Sequence, residues 1–150
     1  MVAEIVRNGG CLCRGIRYTV TGNPYKSGLC HCADCRQVTG SAFLAYADWR
    51  PEQFEYTGEV KTYGGRSFCP NCGSRLFSRN ERQVEIYIGT LDTIPSGITP
   101  IDEGWTIRRE PWQHPIEAAV QHEKDVIPSH GPSTNTNGPL QKLHQLNRNR

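Results

Sequence analysis

Short alternating runs punctuated by glycine and proline, together with seven cysteines in three tight packets, predict a mainly β fold. The expected architecture is a small sandwich or barrel-like domain supported by bound metal. Ile16-Arg-Tyr18-Thr-Val20, Phe54-Glu-Tyr56 and Val84-Glu-Ile86-Tyr-Ile88 each place apolar side chains at the two-residue period of a strand. Phe43–Tyr46 adds a short apolar run, and Arg75–Arg79 reads as a strand after the last cysteine packet. Gly9-Gly10, Gly22-Asn23-Pro24 and Gly64-Gly65 read as turns between strands. The one helical signal in the body follows Pro115, through Ile116, Ala119 and Val120, with proline at a favoured first-turn position. No internal repeat is present.

A chain of 150 residues is expected to form one domain. Hydrophobic residues make up 36% of it and the mean hydropathy is −0.60, so the core needs support from elsewhere. Structural zinc contributes roughly 10–16 kcal/mol of apparent binding free energy to folding, enough to supply it. The segment Met-Val-Ala-Glu-Ile-Val-Arg-Asn has no apolar signal region, and no run approaches membrane-spanning length. A cytoplasmic protein without a membrane partner is the expectation. From Val126 onward proline, glycine, serine and asparagine dominate, and such a tract cannot offset its ordering entropy. The predicted organisation is a zinc domain over 1–125 and a disordered tail over 126–150. Leu140, Leu143 and Leu146 have only a rough helical spacing within that tail.

The net charge is +2, and the tail carries Lys142, Arg148 and Arg150 with no acid. The body is therefore nearly neutral, which argues against a nucleic-acid partner.

Seven cysteines are an odd number for a complete disulfide framework, and tight packets in a reducing compartment are more often metal ligands. Cys69-Pro-Asn-Cys72-Gly73 is the strongest signal. Pro70 presets φ at the turn, and Gly73 allows the left-handed conformation that closes it, so both thiolates converge on one ion. Cys11-Leu-Cys13 is weaker alone. In an extended strand, residues two apart share a face, so both thiols could reach the same metal and complete a four-thiolate tetrahedron. Cys30-His31-Cys32-Ala-Asp-Cys35 then holds three thiols. Three protein ligands with a vacant position are the pattern of a catalytic zinc, whereas a fourth ligand from a distant histidine or from solvent would make a second structural site. His31, between two cysteines of one strand face, points away from such an ion. Three thiolates leave a zinc site at net −1, which favours holding a thiol over activating water.

Gly9-Gly-Cys-Leu-Cys13 with Gly15 and Arg17-Tyr18, then Cys30-His-Cys-Ala-Asp-Cys-Arg36, Gly40-Ser41, Arg66-Ser-Phe-Cys-Pro-Asn-Cys-Gly-Ser74 and Gly89-Thr-Leu-Asp92 resemble the glutathione-dependent formaldehyde-activating enzyme family, which includes centromere protein V. The resemblance runs from about residue 8 to Trp112. It implies a β-tent fold, a zinc-ribbon-related small β sandwich, with two zinc ions. It further implies a structural site at Cys11, Cys13, Cys69 and Cys72, and a catalytic site at Cys30, Cys32 and Cys35 open to a thiol substrate. The implied activity is carbon–sulfur lyase chemistry on the adduct of glutathione and formaldehyde. In Pro100-Ile-Asp-Glu103-Gly-Trp105, Glu103 stands where the family usually carries a histidine.

Arg36 and Arg66 are candidates to meet the carboxylates of a glutathione-type substrate by bidentate contacts, against the plainer reading of surface cations. His31 is the candidate catalytic proton carrier between solvent and a bound thiol, or else a packed, hydrogen-bonded ring. Asp92 is expected to cap the turn before Pro95, and Trp49, Trp105 and Trp112 to be core or near-core. The competing function is a non-catalytic zinc scaffold that binds another macromolecule.

Overall fold

A computed structural model describes residues 2–127. The tail expectation and the three late leucines fall almost entirely outside them. The order of elements is β1 (Val6–Gly10), β2 (Arg17–Thr21), β3 (Lys26–Cys30), α1 (Ala33–Thr39), β4 (Leu44–Trp49), β5 (Phe54–Thr57), β6 (Lys61–Tyr63), β7 (Arg66–Phe68), β8 (Arg75–Arg79), β9 (Val84–Tyr87), β10 (Asp102–Gly104) and β11 (Val120–Gln121). The chain is mainly β, as predicted. The alternating runs around Tyr18, Tyr56 and Ile86 and the run Arg75–Arg79 are all strands. Among the described residues no helix is long and apolar enough to cross a membrane.

The described residues gather into two compact units, one from the residues up to Ser27 together with Ala45–Thr99, the other from Gly28–Leu44 together with Pro100 onward. In the first, β1, β2 and β5 form an antiparallel sheet, while β4, β9, β8, β7 and β6 pair antiparallel in that order. Tyr18 and Val20 of β2 meet Leu76 and Phe77 of β8 and Val84 and Ile86 of β9 in one core, closed by Trp49. Phe54 packs on Phe77 with ring centroids 4.9 Å apart, nearly edge to face. That geometry contributes beyond area burial. Cys11 and Cys69 belong to the same core, whereas Cys13 is exposed and Cys72 only partly buried.

Gly9 and Gly10 lie within β1, not in the turn that their pairing suggested. The reason is close approach: a Cβ on Gly9 would stand 2.3 Å from the Tyr18 ring and 2.6 Å from the Thr90 carbonyl. Gly9 is the register partner of Tyr18, so the glycine makes room for the aromatic ring lying across it. Gly64-Gly65 is a turn as expected, with φ of 55° and 80° joining β6 to β7.

In the second unit β10 pairs in parallel with β3, with Glu103 opposite Leu29 and Gly104 opposite Cys30. It also pairs in parallel with β11. The helix expected after Pro115 is absent. Ala119 closes a single turn onto Ile116, and Val120 then donates to the Ile101 carbonyl and enters β11. Backbone pairing with β10 outcompetes a segment too short to sustain a helix alone. Among the described residues the α-helix is α1, immediately after Cys32. Trp49 and Trp105 are buried as expected, but Trp112 is largely exposed.

Candidate metal centres

The first centre is assembled from two turns. Cys11 follows β1 into a tight turn rather than an extended strand: Arg14 N–H donates to the Cys11 carbonyl at 3.0 Å, Cys11 N–H to the Ile16 carbonyl at 3.1 Å, and Arg14 adopts φ of 65°. The two thiols therefore converge by a bend, not by the two-residue alternation expected of a strand, and their sulfurs lie 3.5 Å apart. The Cys69 knuckle forms as the sequence predicts. Gly73 takes φ of 76° and its N–H donates to the Cys69 carbonyl at 2.9 Å.

Cys13 Sγ and Cys69 Sγ are 3.7 Å apart, and all four sulfurs lie within 4.8 Å of one another. A zinc–sulfur distance of about 2.3 Å implies tetrahedron edges of about 3.8 Å. N–H groups already face the sulfurs, from Ile16 to Cys11 at 3.2 Å and from Cys72 to Cys69 at 3.5 Å. Ser74 joins the two turns: its Oγ accepts from Leu12 N–H at 3.0 Å, leaving the hydroxyl proton for Cys72 Sγ at 3.2 Å. That hydroxyl, helped by backbone N–H groups, holds Cys72 down at about 5. Cys13 is likewise lowered, first by the Asn71 side chain. Cys69 is raised, so only Cys72 and Cys13 are favoured as thiolates without an ion, and four thiols at this spacing suit a structural metal.

The second centre comes from the turn between β3 and α1. Cys30 ends β3, Cys32 is the N-cap of α1, and Cys35 sits in the first turn with its N–H on Cys32 Sγ at 3.4 Å. The Cys-x-x-Cys spacing is thus a thiol-capped helix start, and the helix stops at Gly40 with φ of 64°. The three sulfurs lie within 4.8 Å of one another. Crowding works against their ionisation. Cys30 is pushed up to about 12, first by its hydrogen bond with Cys32, and Cys35 is raised by Cys30 and Cys32 together with burial. A divalent cation reverses that repulsion, so this donor set fits a thiophilic metal.

His31, between Cys30 and Cys32, does not join the three sulfurs, in agreement with the expectation that it points elsewhere. Its ring is fully buried against Phe43, at a centroid distance of 5.8 Å. Nε2 lies 3.0 Å from Glu103 Oε1, while Nδ1 has no hydrogen-bond partner among the described residues. Glu103 is also fully buried. Its Oε2 accepts from Ile116 N–H at 2.8 Å and Gln121 Nε2 at 2.7 Å, and the Arg109 guanidinium stands 3.5 Å away. Burial works to raise the Glu103 carboxyl. The donors from Gln121, Ile116 and His31, with Arg109, outweigh it and hold the group below the usual range. Ionised Glu103 is therefore an acceptor, and the proton of the shared bond resides on His31 Nε2. No local pattern announces this pair, because 72 residues separate its members.

Arg36 follows Cys35 on α1, and its guanidinium donates to the Arg108 carbonyl at 3.2 Å and to Glu110. Arg66 begins β7 in the other unit, with its guanidinium near the Gly64 carbonyl. Asp92 is paired with Arg17.

A mainly β chain with a four-thiol and a three-thiol cluster, each of which could hold one ion, is of the cysteine-cluster class. The model of the family described as glutathione-dependent formaldehyde-activating enzyme matches residues 6–108, and the chain belongs to that family. An uncharacterized lyase of Schizosaccharomyces pombe is 31% identical over 74 residues, covering 46% of this chain and 54% of the relative. The chain thus spans about half the length of the curated relative it matches. A crystal structure of a Rhodobacter sphaeroides protein aligns at 18% identity with a TM-score of 0.45, covering 62% of this chain and 91% of that one.

Proposed function

We propose that this protein is a zinc-dependent carbon–sulfur lyase-like enzyme acting on a thiol adduct of glutathione type, such as the adduct with formaldehyde. In this reading it carries two zinc ions, structural at Cys11, Cys13, Cys69 and Cys72 and catalytic at Cys30, Cys32 and Cys35. The observation that carries the reading is the three-sulfur cluster, which no histidine, aspartate, glutamate or further cysteine among the described residues completes. Family membership and the lyase name of the yeast relative support the reaction class.

Zinc held by the three thiolates would supply a vacant position where a substrate thiol is bound in ionised form. Cys30, Cys32 and Cys35 contribute three negative charges, one more than the ion neutralises. That excess disfavours water activation and keeps a sulfur nucleophile electron-rich. The substrate sulfur forms a bond to the aldehyde carbon, the carbonyl π pair moves onto oxygen, and that oxygen takes up the proton lost by the thiol. The reverse step breaks the carbon–sulfur bond and returns both compounds. His31 is the proton-holding candidate of the site. Its ring has no solvent-exposed surface, so direct exchange with bulk water is not available to it in this conformation. Arg36 is the candidate partner of a substrate carboxylate, which must then displace Glu110; Arg66 is the second candidate cation.

Cys35→Ser is expected to abolish turnover of glutathione and formaldehyde while one zinc per chain remains bound. Full turnover by that variant, measured beside its zinc content, would overturn the reading.

A further inference from the structure

The carboxylate of Glu103 meets His31, which stands in sequence between two of the three clustered thiols, and is not itself a member of the cluster. β10 runs in register with β3, so that Gly104 stands opposite Cys30, and the Gly104 carbonyl accepts from His31 N–H at 3.1 Å. The neighbouring residue, Glu103, accepts from the other end of the same histidine, at Nε2. His31 is therefore held at backbone and ring by two consecutive residues of one strand, while the residues on either side of it carry two of the three thiols. Glu103 is itself immobilised by Ile116, Gln121 and Arg109. A buried carboxylate satisfied from four directions is a rigid anchor, and its cost in desolvation is offset only by those donors.

We infer that Glu103 is a positioning residue for the three-thiol centre. By accepting from Nε2 it fixes the His31 ring in the tautomer that leaves Nδ1 as the free acceptor, and it braces the Cys30–Cys32 segment from which two ligands project. Outer partners of this kind commonly change metal affinity or activity by 10–100-fold when removed. The inference rests on the reading of the three thiols as a thiol-accepting metal site, but its first test does not depend on turnover.

The test uses the full chain loaded with zinc, and separately with cobalt. Nitrogen NMR of the His31 ring in the zinc form is expected to show a protonated Nε2 and an unprotonated Nδ1. A proton on Nδ1 would overturn the inference whatever the activity. In Glu103→Gln the single amide oxygen is claimed by Ile116 N–H and Gln121, so the amide NH2 faces His31 Nε2 and the ring should move toward the tautomer protonated at Nδ1, with a weakened glutathione-induced change in the cobalt absorption bands. In Glu103→Ala the ring signals should become a mixture, and half-maximal glutathione response should need at least ~10-fold more thiol. Unchanged ring signals and cobalt response in Glu103→Ala would refute the positioning role. Should Glu103→Ala fail to fold, the wild-type tautomer and the Glu103→Gln spectrum still decide. A wild-type cobalt form indifferent to glutathione, with the Nε2 tautomer present, would instead count against the proposed function alone.

Discussion

Asp48 of β4 and Glu85 of β9 are direct register partners across an antiparallel pair, and Asp48 is buried with its Oδ1 lacking a hydrogen-bond partner. Two carboxylates facing each other in a ladder repel when both are ionised. Burial first, and then Glu85, push the Asp48 carboxyl up to about 8, with Lys26 pulling the other way.

A carboxyl raised in the folded state keeps its proton after the unfolded chain has lost its own. Stability from this group is full below the unfolded value of about 4 and is lost as pH rises toward about 8. Asp48→Asn mimics the protonated form. Urea unfolding at saturating zinc should find it close to wild type at low pH and more stable by on the order of a few kcal/mol above pH 8. Equal stability of the two proteins across that range would contradict the shift.

The two cysteine clusters should differ in what their loss does. Cys11 and Cys69 lie in the core of their unit, so a metal held there would contribute to folding directly. Cys69→Ser is expected to lose cooperative thermal unfolding, whereas Cys35→Ser should retain it with one metal equivalent fewer. Calorimetry paired with zinc analysis separates the outcomes, and a stable, cooperatively folded Cys69→Ser would show the first centre to be dispensable.

If Arg36 receives a substrate carboxylate, Glu110 is its competitor. Arg36→Ala should raise KM for glutathione roughly tenfold or more, in keeping with a charged hydrogen bond, and Glu110→Gln should lower KM. Steady-state kinetics of both variants would show a purely structural pair if neither changes KM while both lower Tm.

Gly9→Ala is expected to destabilise the protein by about 1–3 kcal/mol, because the added methyl collides with Tyr18 and the Thr90 carbonyl, neither of which can retreat. Gly89→Ala is the control, since nothing lies within 4 Å of a Cβ there. Denaturant midpoints compare the two, and equal effects would refute the close-approach argument.

Much of the fold was legible where the signal is local. Alternation around Tyr18, Tyr56 and Ile86 marked strands because a half-buried sheet imposes that period. Gly73 marked the knuckle because only a permissive residue closes it at φ of 76°. The errors occurred where neighbours override local preference. Gly9-Gly10 looked like a turn, yet serves a ring from the next strand. The Pro115 segment carried helix signals, but the Ile116 and Val120 N–H groups go to Glu103 and the Ile101 carbonyl. α1 carries no familiar start signal because its cap is a cysteine, and its stop signal, Gly40, follows after only seven helical residues.

The sequence by itself determined the thiol inventory and its division into four and three, because ligand spacing is a property of a few adjacent residues and the backbone geometry they allow. Tertiary structure alone decided which groups stand around those thiols. It brought Glu103 to His31 across 72 residues, seated both in complete burial, and engaged Arg36 with Glu110. Such pairings depend on strand register, on β10 lying against β3, and on the need of a buried charge to find every available donor. No local pattern encodes them.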